Sequence, residues 1–408
     1  MSKRSQKKTT WMKLRKALNQ IHLWGGLISG IVVFIVCLTG TIYTYNTEIR
    51  ALAMPEYHKV QIEGDKINPD VMLGMVEAQV DGEIVGIKVP HAKDATTSFL
   101  YTKAEKDAPA SRSGRRPRPN QLAVNPYTAK VIGDPSEVET KTAEFMKKMF
   151  GLHRWLLLNE IEKPLIDGVE NRKLGSWISG TATLLFLLGV ITGIVIWFPN
   201  KMRSWKKGLK IRWNANWKRV NHDLHNTLGF YSCIILFLMA VTGPFWSFDW
   251  YRAGWQKTWG TYQSPDAPRE EQTPLISMMP ADGQEPMNIE QIILATNQIL
   301  PYEGDITINF ATDSLGTVAI SKNRFGFFAP SAGDKLTLDQ YSGQVLDKDI
   351  FRERPFNERA SASIKALHIG NIYGPFTKLL YFISCLIATS LPVTGVLIWL
   401  NKMKKKKR

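Results

Sequence analysis

Apolar residues along this 408-residue chain are gathered into four runs without a single charge, at 23–45, 177–198, 228–248 and 379–400. Each has about the 20 residues that a helix needs to cross a hydrocarbon core. Buried helices of water-soluble proteins rarely go so long uncharged, so four membrane spans are expected. The first run is too long for a signal peptide and no small-residue cleavage site follows it, so it reads as a retained anchor. The pattern changes in the two long connections. "NPDVMLGMVEAQV" (68–80) and "NIEQIILATNQIL" (288–300) carry a helical period, with Asn68 and Asn288 as N-caps. "LAVNPYTAKVIGD" (122–134) and "LTLDQYSGQVLDK" (336–348) align without gaps, and each reads as strand, turn, strand. One small α+β module is therefore predicted in each connection.

The chain reads as a duplication. The order span, connection, span occurs twice. "TG" at Thr39–Gly40 and at Thr242–Gly243 places a glycine 18 residues after His22 and after His225. "TGIVIWFPNK" (192–201) and "TGVLIWLNK" (394–402) end the second and fourth spans alike, each with a tryptophan (Trp197, Trp399) four residues after the glycine. Repeats of the same orientation imply a pseudo-two-fold axis along the membrane normal, and a site on that axis takes one ligand from each half.

Composition changes this picture in one respect, the placement of charge. The net charge is +16, yet residues 1–21, 199–224 and 401–408 together carry +20 and the remainder −4. The positive-inside rule puts these three stretches, and so both termini, in the cytoplasm. The basic balance then reports topology and contact with anionic lipid, with no nucleic acid required. The expected layout is a basic N-terminus (1–21), span 1 (22–45), an outer module with a pre-span helix (46–176), span 2 (177–198), a basic loop (199–221), span 3 (222–248), a second outer module (249–378), span 4 (379–400) and a basic tail (401–408). The three cysteines, Cys37, Cys233 and Cys385, all lie in apolar runs and cannot form a disulfide framework for the outer loops. There is no C-x-x-C-H for covalent haem, and no G-x-G-x-x-G after a strand for a nicotinamide or flavin.

Five of the seven histidines fall at membrane boundaries; His58 and His91 read as surface residues. His22 and His225 begin spans 1 and 3 on the cytoplasmic side. His153 and His368 precede spans 2 and 4 on the outer side, with 13 more residues between His153 and its "TG" than between His368 and its own. Zinc usually needs three or four ligands and finds no nearby Cys or acidic cluster here. Copper lacks a Cys or Met cluster. Two b-type haems, each with two axial histidines, fit best, with Arg15, Arg219 and Arg154 near enough to meet propionates. His222 lies three residues before His225, where the first half has Asn19. On a helix His222 and His225 share a face; His225 is the preferred ligand, and His222 reads as a further cofactor-side residue, a propionate partner or proton carrier, or else as a bystander.

"IHLWGGLISG", "GLHRWLL", "DLHNTLG", "ALHIGNIYG", the recurrent "TG" and the two aligned modules together make the chain resemble the PepSY-associated transmembrane proteins, which include bacterial inner-membrane ferric-siderophore reductases. The resemblance spans nearly the whole chain. It implies an integral membrane α-helical protein with four transmembrane helices in a duplicated (2+2) bundle, two PepSY-like α+β periplasmic modules and two b-type haems, with ligands His22, His225, His153 and His368. The activity implied is reduction of a ferric chelate, such as a ferric siderophore, in the periplasm by electrons from a cytoplasmic donor, the protein placing and tuning the haems. Eighteen residues of helix cover roughly 27 Å; Phe34, Tyr43, Phe230 and Phe237 lie along that path, where packing is their default role. "RSGRRPRP" (112–119) is either a solvated loop or an attractor of anionic chelates. Boundary tryptophans (Trp155, Trp177, Trp246, Trp250, Trp255, Trp259) read mainly as belt anchors. Two other readings stand: a haem conduit to a quinone or periplasmic redox protein, and a non-enzymatic module that restrains a periplasmic peptidase. Neither a nucleophile nor an acid–base constellation supports hydrolysis.

Overall fold

The computed structural model describes residues 3–103, 119–199, 202–264, 274–278 and 284–406. In chain order its helices are α1 (Lys3–Tyr43), α2 (Asn46–Ala53), α3 (Pro69–Glu77), α4 (Lys141–Trp155), α5 (Asn171–Trp197), α6 (Trp217–Thr242), α7 (Asp249–Thr258), α8 (Ile289–Ile299), α9 (Phe356–Ala362), α10 (Ile364–Ile369) and α11 (Gly374–Lys406). The strands are β1 (Glu83–Val89), β2 (Thr97–Thr102), β3 (Asn120–Val124), β4 (Val131–Gly133), β5 (Gly304–Asn309), β6 (Thr317–Arg324), β7 (Asp334–Asp339) and β8 (Val345–Asp349). The chain divides into two compact units. One contains residues 1–46, 144–262 and 360–408, the other 47–143 and 263–359.

The first unit is a helix bundle. Four of its helices, α1, α5, α6 and α11, are long and apolar enough to cross a membrane. They extend past the apolar runs: α5 starts at Asn171, six residues before the uncharged stretch, and α6 at Trp217. The 3₁₀ turn Gly243–Trp246 follows α6, with Pro244 at its start. α1 packs on α5 and α11, and α6 packs on the same two. The bundle is inside-out relative to a water-soluble one. Ile28, Ile31 and Ile234 are more than 70% exposed, whereas Ser29, Thr39, Thr192, Ser232 and Thr242 are buried. Each buried hydroxyl donates to the carbonyl one turn back, as in Ser29 to Gly25 and Thr242 to Leu238. The hydroxyl is thus satisfied inside its own helix, and small polar residues let the helices approach closely.

The second unit joins the two predicted modules into one sheet. Its eight strands run in the order β4-β3-β2-β1-β5-β6-β7-β8, all neighbours antiparallel. Each connection supplies four strands and one helix that packs on the core, α3 or α8, and the halves meet where β1 pairs with β5, Ile87 opposite Ile308. The sequence predicts two separate modules; the β1–β5 pairing makes them one sheet. It removes one edge strand from each half, edges being sites of unwanted pairing. At the seam a Cβ on Gly86 would lie 2.4 Å from the Ile308 carbonyl oxygen, so only glycine fits. Met72 and Val76 of α3 and Ile289 and Ile292 of α8 close the core over Phe99, Ile308 and Leu336.

The two helices also meet through polar groups. Asn68 and Asn288 cap α3 and α8, as the sequence predicts. Asp70, in the first turn of α3, reaches across to accept from the backbone N–H groups of Ile289 (2.7 Å) and Glu290 (3.2 Å). Asn68 donates to Glu290 at 2.6 Å. A carboxylate here satisfies orphan donors of a helix from the other half of the chain and complements its dipole. Replacing Asp70 with Ala is expected to lower stability by about 1 kcal/mol. Amide exchange at Ile289 and Glu290 should quicken, which hydrogen–deuterium exchange would detect.

Candidate cofactor site: two histidine pairs

The bundle brings four histidines together as two pairs. His22 on α1 faces His225 on α6, ring centroids 6.2 Å apart and planes at 87°. His153, near the end of α4, faces His368 of α10, centroids 6.1 Å apart and planes at 58°. α10 is short because Gly370, at φ 78°, ends it two residues after His368; a Cβ on that glycine would also collide with the Tyr381 ring.

Every ring is held by a different helix through its Nδ1 atom. His22 Nδ1 lies 3.0 Å from the Gly189 carbonyl and 3.2 Å from Thr192 Oγ1. His225 Nδ1 meets Thr394 Oγ1 at 2.9 Å. His153 Nδ1 meets the Val36 carbonyl at 2.9 Å, and His368 Nδ1 meets Thr242 Oγ1 at 3.1 Å. Carbonyl oxygens only accept, so His22 and His153 carry their proton on Nδ1. Thr394 and Thr242 have already given their hydroxyl hydrogens to the Ser390 and Leu238 carbonyls, at 3.0 and 2.7 Å. Their oxygens are therefore acceptors too. All four imidazoles share one tautomer, with the Nε2 lone pair left for a ligand, the arrangement by which a second partner fixes ring orientation and basicity.

The glycine after each of these threonines completes the clasp. A Cβ on Gly193 would stand 3.3 Å from His22 Cε1, on Gly395 3.4 Å from His225 Cε1, on Gly40 3.0 Å from His153 Cε1 and on Gly243 3.5 Å from His368 Cε1. The recurrent "TG", which the sequence offers only as a repeat marker, is thus the seat of each ring. Thr39 is the exception among the threonines: its hydroxyl donates to the Ile35 carbonyl, and the Val36 carbonyl takes the histidine instead.

The space between paired rings suits a metal. Two metal–imidazole bonds of about 2.0–2.1 Å plus about 1.2 Å from each nitrogen to its ring centre put centroids roughly 6.4–6.6 Å apart. Among the described residues no group of three or more His, Cys, Asp or Glu is arranged to hold an ion. The remaining coordination positions would have to come from the ligand, as a macrocycle supplies them. The second pair opens on a largely apolar cavity lined also by Cys37, Cys385, Arg154 and Trp246. Burial keeps His153 and His368 neutral, His368 down at about 3 with the nearby His153 contributing, and neutral imidazole is the ligating form.

The sequence-selected cations fall at the same two ends. Arg15 donates to the Ile196 carbonyl at 2.6 Å. Arg219 pairs with the buried Asp223 at 2.9 Å, and its Nε is buried without a hydrogen-bond partner. Arg212 meets the same carboxylate at 3.3 Å. Arg154 lines the second cavity, donates to the Trp246 carbonyl and lies 5.6 Å from the Trp155 ring. His222 does not join the first pair. Its side chain is half exposed, 3.7 Å from Asp223. The segment 112–119 lies outside the described residues apart from Pro119.

Replacing Thr394 with Val strands the buried Nδ1–H of His225, and should cost about 1–3 kcal/mol. Gly40→Leu, which drives a side chain into the His153 ring, should lower thermal stability in detergent. Gly25→Leu is the control: Gly25 faces open space, and its melting temperature should stay within error of wild type.

No curated protein matches this chain. A family model described as "PepSY-associated TM region" matches residues 19–402, which include all four paired histidines and both sheet halves. The chain therefore belongs to the PepSY-associated transmembrane family.

Proposed function

We propose that the chain binds two b-type haems, one on each histidine pair, and serves as a transmembrane reductase of ferric chelates of the siderophore class. The observation that carries this reading is the pair of ring separations, 6.2 and 6.1 Å, close to the value for two nitrogens on one iron, with all four Nδ1 atoms engaged elsewhere. Haem, when bound, supplies a one-electron couple at each end of the bundle. His22 and His225 hold the cytoplasmic position, His153 and His368 the periplasmic one. Arg219, with its unpartnered Nε, and Arg15 offer charge to propionates at the first; Arg154 does so at the second. The threonine and carbonyl acceptors hold each imidazole in one tautomer and one plane, and the apolar exterior of the bundle excludes water. Ferrous iron binds siderophores weakly, so adding one electron to the ferric chelate frees the metal.

The placement of charge supports an inner-membrane protein with both termini in the cytoplasm, its two halves acting as repeats about one axis. The acceptor is a chelate from the periplasm, and the donor is cytoplasmic.

Haem content tests the reading. Purified after haem-replete expression, the protein is expected to be red with two haems per chain. His22→Ala and His225→Ala should each lose one haem, His153→Ala and His368→Ala the other, and His222→Ala neither. A colourless protein would leave the non-enzymatic reading. Loss of haem from His222→Ala but not from His225→Ala would overturn the ligand assignment. Reoxidation of the pre-reduced protein by ferric chelates separates this acceptor from a quinone or redox protein.

A further inference from the structure

The segment that joins α5 to α6 is basic, and it is also held in a fixed shape. Residues 199–224 carry eight Lys or Arg and one acid, Asp223. Membrane topology asks only for cations, in a loop of any shape. This loop is tied to the bundle at several points. The Gly208 carbonyl accepts from Trp197 Nε1 of α5 (3.4 Å) and from Thr227 Oγ1 of α6 (3.0 Å), and the Leu209 carbonyl accepts from the Tyr231 hydroxyl (3.1 Å). A Cβ on Gly208 would stand 3.1 Å from the Trp197 ring, which itself stacks on Phe230 at 3.7 Å. Asp223, its side chain 4% exposed, accepts from the Arg212 backbone N–H and pairs with the Arg212 and Arg219 side chains. The one acid of the stretch thus fastens its backbone, two residues before His225.

With the backbone pinned, the side chains face outward. Trp205, Trp213 and Trp217 are 42, 67 and 57% exposed, and Lys206, Lys207 and Lys210 are exposed among them. Aromatic rings within a basic rim have the composition of a protein interface. Phospholipid headgroups attract the same cations but require no fixed loop. The surface lies at the end of α6 that bears the first histidine pair: His222, half exposed, is one helical turn from His225. The basic turns of α1 and the basic tail of α11 reach the same end, where Arg15 donates to the Ile196 carbonyl of α5 and Asn221 of α6 donates to the Thr394 carbonyl of α11. We propose that the folded loop 205–217 is the docking surface of the electron donor, and that this donor is an acidic one-electron carrier protein. The inference rests on the proposed reductase reading, because it is that reading which calls for a donor. The docked carrier is oxidised by one electron, which the iron held at the first pair receives; no bond forms or breaks.

Binding, read apart from electron transfer, tests the surface. The full chain, in nanodiscs of zwitterionic lipid, would be titrated by biolayer interferometry with an oxidised flavodoxin, an acidic carrier, and with cytochrome c, a basic one of similar size. Flavodoxin should bind at one site per chain, about tenfold more weakly at about 200 mM salt than at about 50 mM, and cytochrome c should not bind. Lys206→Glu with Lys207→Glu and Lys210→Glu should weaken flavodoxin about tenfold or more, and Trp213→Ala, which removes no charge, about tenfold. The same charge reversal on the sheet, at Lys93, Lys130 and Lys348, should leave the affinity within about twofold. Absence of flavodoxin binding, equal binding of cytochrome c, or equal weakening by the sheet variant would each overturn the surface. So would loss of binding when anionic lipid is added to the discs, since lipid then covers the loop. The comparison of the two carriers on the unaltered protein needs no variant to fold. Haem content, read from the visible spectrum of the same samples, separates the two failures: a red protein that ignores flavodoxin faults the surface alone, and a colourless one that binds it faults the reductase reading and with it the donor role.

Discussion

The structure of the bundle hangs on one hydrogen bond made four times, from imidazole Nδ1–H to an oxygen of a neighbouring helix. In the interior of a membrane protein an unpaired N–H is expensive, so each histidine needs an acceptor on another element. A free carbonyl is scarce in a helix, because nearly all are taken one turn on. The chain meets this with threonine alone for His225 and His368, and with threonine beside the Gly189 carbonyl for His22. Each threonine satisfies its own hydroxyl hydrogen within its helix and presents the oxygen outward. The neighbouring glycine then lets the ring lie against the backbone. The consequence reaches helix packing: α1 is tied to α5 through His22, α6 to α11 through His225, α4 to α1 through His153, and α10 to α6 through His368.

Much of this was legible from sequence, for identifiable reasons. Spans are visible because lipid demands about 20 uncharged residues, and the helix caps at Asn68 and Asn288 are visible because capping is local. The grouping of His22 with His225 and of His153 with His368 follows from their matching order in the two halves. What stayed hidden is non-local. "TG" at 192–193 gives no sign that it clasps a histidine 170 residues earlier. Asp70 looks like an ordinary first-turn acid until α8 is beside it. The β1–β5 pairing depends on two strands separated by more than 200 residues. The 13 extra residues after His153 were countable, but the loop they form depends on the buried Asn171, which donates to the Ile161 and Lys163 carbonyls, and on two left-handed leucines, Leu156 and Leu157, that no local preference favours.

Charge is treated differently at the two ends of the bundle. Near the first pair the buried Asp223 is met by Arg219 and Arg212, so a carboxylate that burial alone would penalise is compensated. This explains why one acid survives among eight cations of residues 199–224, and why His222, turned toward that carboxylate, is drawn away from the ligand position. Near the second pair the cation is Arg154, stacked against aromatic rings and lining the cavity beside two neutral imidazoles.

Low-temperature electron paramagnetic resonance of the oxidised protein tests the central claim most directly, because it reads the axial ligands themselves. Two low-spin ferric signals of bis-imidazole type are predicted. The pair with planes at 87° should be more anisotropic than the pair at 58°, since perpendicular ligand planes leave the iron orbitals nearly degenerate. High-spin iron at either site, a thiolate-type signal, or no haem signal at all would contradict the account.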